Sequence, residues 1–342
     1  MATADNPALR LLKSFKGLGL SPSQVRRLMP EWWVDEAAKD EGGLLELQML
    51  LARRLNVSLA SLQSATPHPT FRETTQRFKT VHPEGSSQLA VAASIGHGLA
   101  QLLASTIPAR QPPSDVTAKA LRVELLASAP AVTLDGLCTW MWTHGLPVVH
   151  VTGWPDGLRR PDAMCVRVGH RPVTMVVRRE KAPARLAYLV AHELGHVMSG
   201  HLRSVNNAVL VDEALPVDDQ RTFSDDDERE ADVFAMTVLG GDELRSTCQS
   251  LLGNVYTDLT LAAAALRVCR DKPLDAGQVI LGWARLSNDW KLANTALRFL
   301  MTTQSAPVVI NDVALANIDA SALSADGRDH LLQLTAMEVP GS

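Results

Sequence analysis

Apolar positions recur at helical spacing through most of the chain, and only a central stretch departs from that rhythm. Leu9, Leu11, Leu12, Phe15 and Leu18 predict a first helix. Val25, Leu28 and Met29 predict a second, because Ser21 can cap it and Pro22 suits the first helical position. Leu44, Leu45, Leu47, Leu50, Leu51 and Leu55 give a third run, ending near Asn56 before Ser58-Leu59-Ala60-Ser61-Leu62. Helices are expected again over 87–105, 116–127 and 134–143, then over 257–270, 275–286 and 290–301 beyond Gly240-Gly241. The centre reads differently. Residues 147–151 predict a strand, and 165–168 with 173–177 a hairpin around Gly169-His170-Arg171-Pro172. The expected fold class is α+β, mostly helical, with a small antiparallel sheet packed on a helix that begins at Pro183. One of these strands is expected to present an edge on which an extended substrate could pair.

Breaks in the pattern suggest four regions. Pro67-His68-Pro69 marks a connector, and Pro108 with Gln111-Pro112-Pro113-Ser114 a linker. The expected division is a helical module over 1–66, a helical connector over 67–113, a chemistry-bearing domain over 114–245 and a mainly helical region over 246–342. In the last region Val308-Val309-Ile310 is a short apolar run with no chemical motif, and a supporting or partner-binding role is expected. The chain shows no internal repeat.

The polar residues that matter lie on the helix from Pro183. Leu186, Leu189, Val190 and Val197 form its apolar stripe, and Gly200 can end it. His192 and His196, four residues apart, share a helix face, so both imidazoles can reach one metal ion. Zinc is expected, since it favours nitrogen ligands at about 2.0–2.1 Å and a catalytic zinc keeps one position open. Glu193, beside the first histidine, is placed to act as general base rather than as ligand. Burying such groups without partners would be costly.

A third protein ligand is then required, and the acidic segment 224–235 supplies candidates. Ser224 and Asp227 form a capping pair at a helix start, while Ala231, Phe234, Ala235 and Val238 define its inward face. Glu228 and Asp232 are four apart and point at the same spot. Glu228 is the expected ligand, and Asp232 the acceptor for the free nitrogen of a ligating histidine. Glu230 lies about 160° round the helix from Asp232 and is expected to face solvent. His201 is the alternative ligand, although Gly200 and His201 fall at the wrong spacing for a three-histidine metzincin pattern. Tyr188, one turn before His192, could serve as an oxyanion donor or as a buried aromatic. His97, between Gly96 and Gly98, reads as structural.

Arg185-Leu-Ala-Tyr-Leu-Val-Ala-His-Glu-Leu-Gly-His196, followed by Glu228-Arg-Glu-Ala-Asp-Val-Phe-Ala235, resembles the ImmA/IrrE metallo-endopeptidases, whose site is gluzincin-like. Trp142-Thr-His-Gly-Leu-Pro-Val-Val149 is similar to the family's helix-to-strand segment, and 164–177 to its antiparallel strands. The resemblance covers roughly residues 115–245. It implies a zincin-like domain that cleaves a regulatory protein, often a repressor. Ala187-Tyr188-Leu189 and Arg178-Arg179-Glu180-Lys181 depart from the family pattern, which bears on substrate preference rather than on the metal site. The segments Pro30-Glu31-Trp32-Trp33 and Ala52–Ser58 resemble parts of XRE-like helix-turn-helix proteins, which makes DNA a candidate partner. Arg26, Arg27, Arg53 and Arg54 could meet phosphates there, offset by nearby acids. Trp32 and Trp33 are expected as core anchors.

Composition constrains the rest. At 342 residues and 46% apolar content the chain can build more than one core, and its net charge of −4 gives no general reason to expect nucleic acid or anionic membrane. Four cysteines without Cys-x-x-Cys spacing are expected to be reduced core residues. Neither a secretory leader nor a membrane-spanning run is read, so a cytoplasmic setting is expected. The expected activity is therefore zinc-dependent endoproteolysis with ligands His192, His196 and Glu228 and base Glu193. The rival reading is a non-enzymatic DNA- or partner-binding regulator with a structural metal, of a transcriptional or toxin-antitoxin kind.

Overall fold

A computed structural model describes residues 6–72, 75–79, 86–108, 113, 116–202, 208–212, 226–300 and 304–337. The amino-terminal helices are α1 (Pro7–Ser14), α2 (Pro22–Arg26), α3 (Glu41–Arg54) and α4 (Leu59–Leu62). Ser21 and Gln24 cap α2 reciprocally, as its serine-proline start anticipates. Strand β1 (Thr75–Lys79) and the long α5 (Ser86–Ser105) follow, then α6 (Ala118–Leu126), α7 (Leu134–Thr143), β2 (Val148–His150), β3 (Ala163–Val168) and β4 (Arg171–Val176). The histidine helix is α8 (Pro183–Met198), and β5 (Ala208–Asp212) leads towards α9 (Asp226–Leu251). Helices α10 (Asp258–Val268), α11 (Ala276–Ser287), α12 (Trp290–Leu297), α13 (Ala306–Asn317) and α14 (Ala325–Thr335) complete an α+β fold. Among the described residues no helix is long and apolar enough to cross a membrane.

The sheet corrects the antiparallel expectation. Its order is β1-β5-β3-β4-β2, and only β3 runs against both neighbours, while β1 pairs β5 and β2 pairs β4 in parallel. Parallel neighbours need crossovers rather than hairpins: helices α5 to α8 lie in the chain between β1 and β5, whereas β2 and β4 are separated in sequence by β3, which pairs with the far side of β4. Met164 and Met175 face each other across β3 and β4, and both lie against Gly96 of α5. On the opposite pleat Cys165 and Leu210 meet Leu202 and Val197 at the end of α8. The sheet is thus covered on one face by α5 and on the other by α8, which explains why β4 is apolar and buried along nearly its whole length.

With β3 and β4 inside the sheet, neither has a free edge for substrate. The outer edge of β2 is also occupied. His150 N–H donates to Asn311 Oδ1 at 2.7 Å, and Asn311 Nδ2 donates to His150 O at 2.9 Å and to Thr335 O at 2.8 Å.

One apolar core runs from α1 through α5, α7 and α8 to α13 and α14. A second is built by α10, α11, α12 and the far half of α9. The turn of direction inside α9 occurs at Gly241, whose φ of 57° suits glycine and places it at the Gly240-Gly241 break seen in the sequence. Arg54 ties the ends of the chain together. It is 1% exposed, donates to Leu28 O at 2.7 Å and pairs with Asp326 at 2.6 Å. Arg26 pairs with Asp35, and Arg27 donates to Asp156 O, so these arginines serve internal contacts. Trp33 is buried as expected, whereas Trp32, expected as a core anchor, sits inside the turn closed by Trp33 N–H donating to Pro30 O and is half exposed. All four cysteines are free thiols, three of them buried.

Candidate active site

Helix α8 is built to carry polar groups through a core. Pro183 occupies its first turn, and the Glu180 carboxylate accepts from the Lys181 and Ala182 N–H groups at 2.7 and 2.9 Å in place of a side-chain cap at Ala182. Leu186, Val190 and Leu194 are fully buried, each contributing about 1.5–3 kcal/mol of apolar burial. His192, Glu193 and His196 are equally inaccessible, at 0% exposure. Helix α9 crosses α8 where Gly195 removes the side chain from the contact.

That crossing brings the sequence candidates together. The Nε2 atoms of His192 and His196 lie 3.1 Å apart. Glu228 places Oε2 3.4 Å from His192 Nε2 and Oε1 3.1 Å from His196 Nε2. These three side chains form a group that could hold a metal ion, the only such group among the described residues. The donor set fits. Two imidazole nitrogens and a carboxylate converge from two helices on one buried spot, which is the ligand chemistry a divalent metal requires. Burial pushes the Glu228 carboxyl up, but hydrogen bonds and positive charge from His192 and His196 outweigh it and hold the group well below the ordinary carboxylate range.

The supporting residues are equally ordered. Asp232 Oδ1 accepts from His192 Nδ1 at 3.0 Å and from the Tyr188 hydroxyl. Arg285 of α11 stacks its guanidinium 4.6 Å above the Tyr188 ring. Tyr188 is therefore committed to Asp232, not aimed as an oxyanion donor. Its partner lies on another helix, so the sequence signal was limited to its place one turn before His192. Glu230 is 62% exposed at its side chain and does not join the His192, His196 and Glu228 group. His201 does not join it either. Its Nδ1 meets His196 Nδ1 at 2.8 Å, on the far side of the ring from Glu228. Ser224, half of the expected capping pair, lies outside the described residues. His97 is buried in α5, its pKa lowered by burial and by Arg72, and it belongs to no metal-capable group.

The α+β fold thus presents a two-histidine, one-glutamate cluster, spread over adjacent helices, that could hold a metal ion. A family model described as Peptidase U49 matches residues 140–262, which run from α7 into α10 and include every member of the cluster. The match supports a peptidase function. No curated protein and no solved structure matches the chain.

Proposed function

We propose that the protein is a zinc-dependent endopeptidase acting through His192, His196 and Glu228 as metal ligands and Glu193 as general base. The observation that carries this reading is the convergence of the two Nε2 atoms and the Glu228 carboxylate, beside Glu193, inside the segment matched by a peptidase family. Two nitrogens and one oxygen suit zinc with a fourth position for water or substrate. When bound, the ion supplies Lewis acidity to the scissile carbonyl and to the attacking water. Glu193 takes the proton of that water and delivers it to the departing amine, a transfer its fully buried carboxylate makes without competition from bulk solvent. Asp232 holds His192 in the tautomer that leaves Nε2 free, and Tyr188 holds Asp232.

The substrate class rests on the sequence resemblance to ImmA/IrrE peptidases. It is a regulatory protein, in the first instance a transcriptional repressor, cleaved within its chain. The regulator reading draws less support, because a structural metal has no use for a carboxylate base in this position and Arg26, Arg27 and Arg54 are engaged within the fold.

The test compares bound zinc and proteolysis in wild type, Glu193→Gln and Glu228→Ala, with purified repressors as substrates and fragments read by mass spectrometry. Glu193→Gln is expected to retain zinc and lose cleavage, and Glu228→Ala to lose both. Full cleavage by Glu193→Gln would overturn the mechanism.

A further inference from the structure

We infer that His201 is a positioning residue for the metal centre, holding His196 through a hydrogen-bonded relay that ends on Glu230 and Asp227 near the start of α9. The inference rests on the metal reading above and extends it to a residue outside the ligand set. Three observations meet here. Gly200 adopts φ 80°, a left-handed turn that folds the chain back at the end of α8. The returning backbone is pinned by His201 N–H donating to His196 O at 3.0 Å. The two rings then face each other, centroids 5.0 Å apart, with Nδ1 against Nδ1 at 2.8 Å.

The protons in this relay have one consistent arrangement. His196 turns Nε2 towards His192 and Glu228, so that nitrogen must offer a lone pair when a metal is held. Its proton therefore sits on Nδ1 and is donated to His201 Nδ1. His201 must then carry its own proton on Nε2, where Glu230 Oε2 accepts at 3.3 Å and Asp227 Oδ1 lies at 3.6 Å. The His201 side chain is only 7% exposed, so water does not easily replace these partners. His192 and His196 are thereby oriented by different devices. His192 donates directly to the Asp232 carboxylate, whereas His196 donates to a neutral imidazole that is itself backed by acids.

Zinc affinity, measured by competition with a chromophoric chelator, tests the relay in the full chain. His201→Ala is expected to weaken zinc binding by about 10–100-fold, the usual cost of losing an outer partner of a ligand. His201→Asn places an amide oxygen where Nδ1 stood and is expected to restore most of that loss. In the zinc-loaded wild type, long-range proton–nitrogen NMR is expected to show His196 protonated on Nδ1 and His201 on Nε2. The melting temperature of the metal-free proteins provides the control, and it should not follow the affinity series. If His201→Ala does not fold, the folded His201→Asn protein decides, since near-wild-type affinity supports the relay and a loss as large as that of an alanine overturns it. His201→Ala binding zinc as tightly as wild type, or His201 protonated on Nδ1, overturns the relay while leaving the metal site standing. Wild-type protein that binds no zinc overturns the metal reading itself, and the relay with it.

Discussion

Ala231 lies so close to Gly195 that a methyl group on the glycine would stand 2.9 Å from both the Ala231 Cα and its carbonyl oxygen, and 3.2 Å from Phe234 Cβ. The obstacle is mostly backbone, which cannot swing aside as a flexible side chain would. The glycine between the two histidines' turns of α8 is therefore what allows α9 to bring Glu228 and Asp232 within reach of them.

Gly195→Ala is expected to push α9 outward. In an exposed helix the same change would stabilise by about 1 kcal/mol. Here overpacking against backbone should reverse the sign and cost about 1–3 kcal/mol, read by urea unfolding. Zinc affinity should fall more steeply than stability, because Glu228 moves with α9.

Asp232→Ala removes the acceptor of the His192 ring proton and the partner of the Tyr188 hydroxyl. Zinc affinity is expected to drop by about 10–100-fold. Tyr188→Phe, which leaves Asp232 on His192, should cost clearly less, and a chelator competition series ranks the two variants. Equal losses would show that Asp232 orients the ring only while the Tyr188 hydroxyl holds it.

Asp326→Ala leaves Arg54 charged, buried and without its carboxylate. Burial already lowers the Arg54 pKa, against the opposing charge of Asp326. Loss of about 3–5 kcal/mol in unfolding free energy is expected, since an uncompensated buried cation is left behind. Arg54→Met in the same background should recover part of it by removing that charge. Zinc affinity should stay unchanged in both, which separates scaffold from site.

His330 gives the fold an acid limit. Burial, reinforced by Arg54 and Arg53, lowers its pKa from 6.5 to about 3. The unfolded chain takes up this proton near pH 6.5, while the folded chain resists it until about 3. Stability is thus complete above that upper value and declines as pH falls between the two, by up to about 1.4 kcal/mol per pH unit for this one group. Unfolding free energy measured against pH should show a slope shallower by one proton in His330→Gln.

Much of the site was readable in advance because helical periodicity is local. His192, Glu193 and His196 share α8 by spacing alone, and Glu228 and Asp232 share the inward face of α9 for the same reason. The role of His201 was not readable. It depends on a left-handed Gly200 that folds the chain back, so counting residues beyond the second histidine could weigh it only as a ligand. The fold class followed from the pattern, but the sheet did not. Thr75-Gln76-Arg77-Phe78-Lys79 has no apolar run to mark β1, and its partner β5 lies far along the chain. The directions of β1 and β2 follow from long connections, through helices for β1 and through β3 for β2, about which the strands' own residues carry no information.

The tie between Arg54 and Asp326 spans 272 residues, and β1 meets β5 across more than a hundred. Glu228, by contrast, follows His196 by a few dozen. A chain made from its amino terminus therefore has all its candidate metal ligands in hand while Arg54 still awaits its carboxylate. Non-local closures are slow, because loop entropy is lost before the contact is gained. The first helices must consequently stay incompletely anchored until α14 has been synthesised, and their final docking becomes a late event in the maturation of the fold.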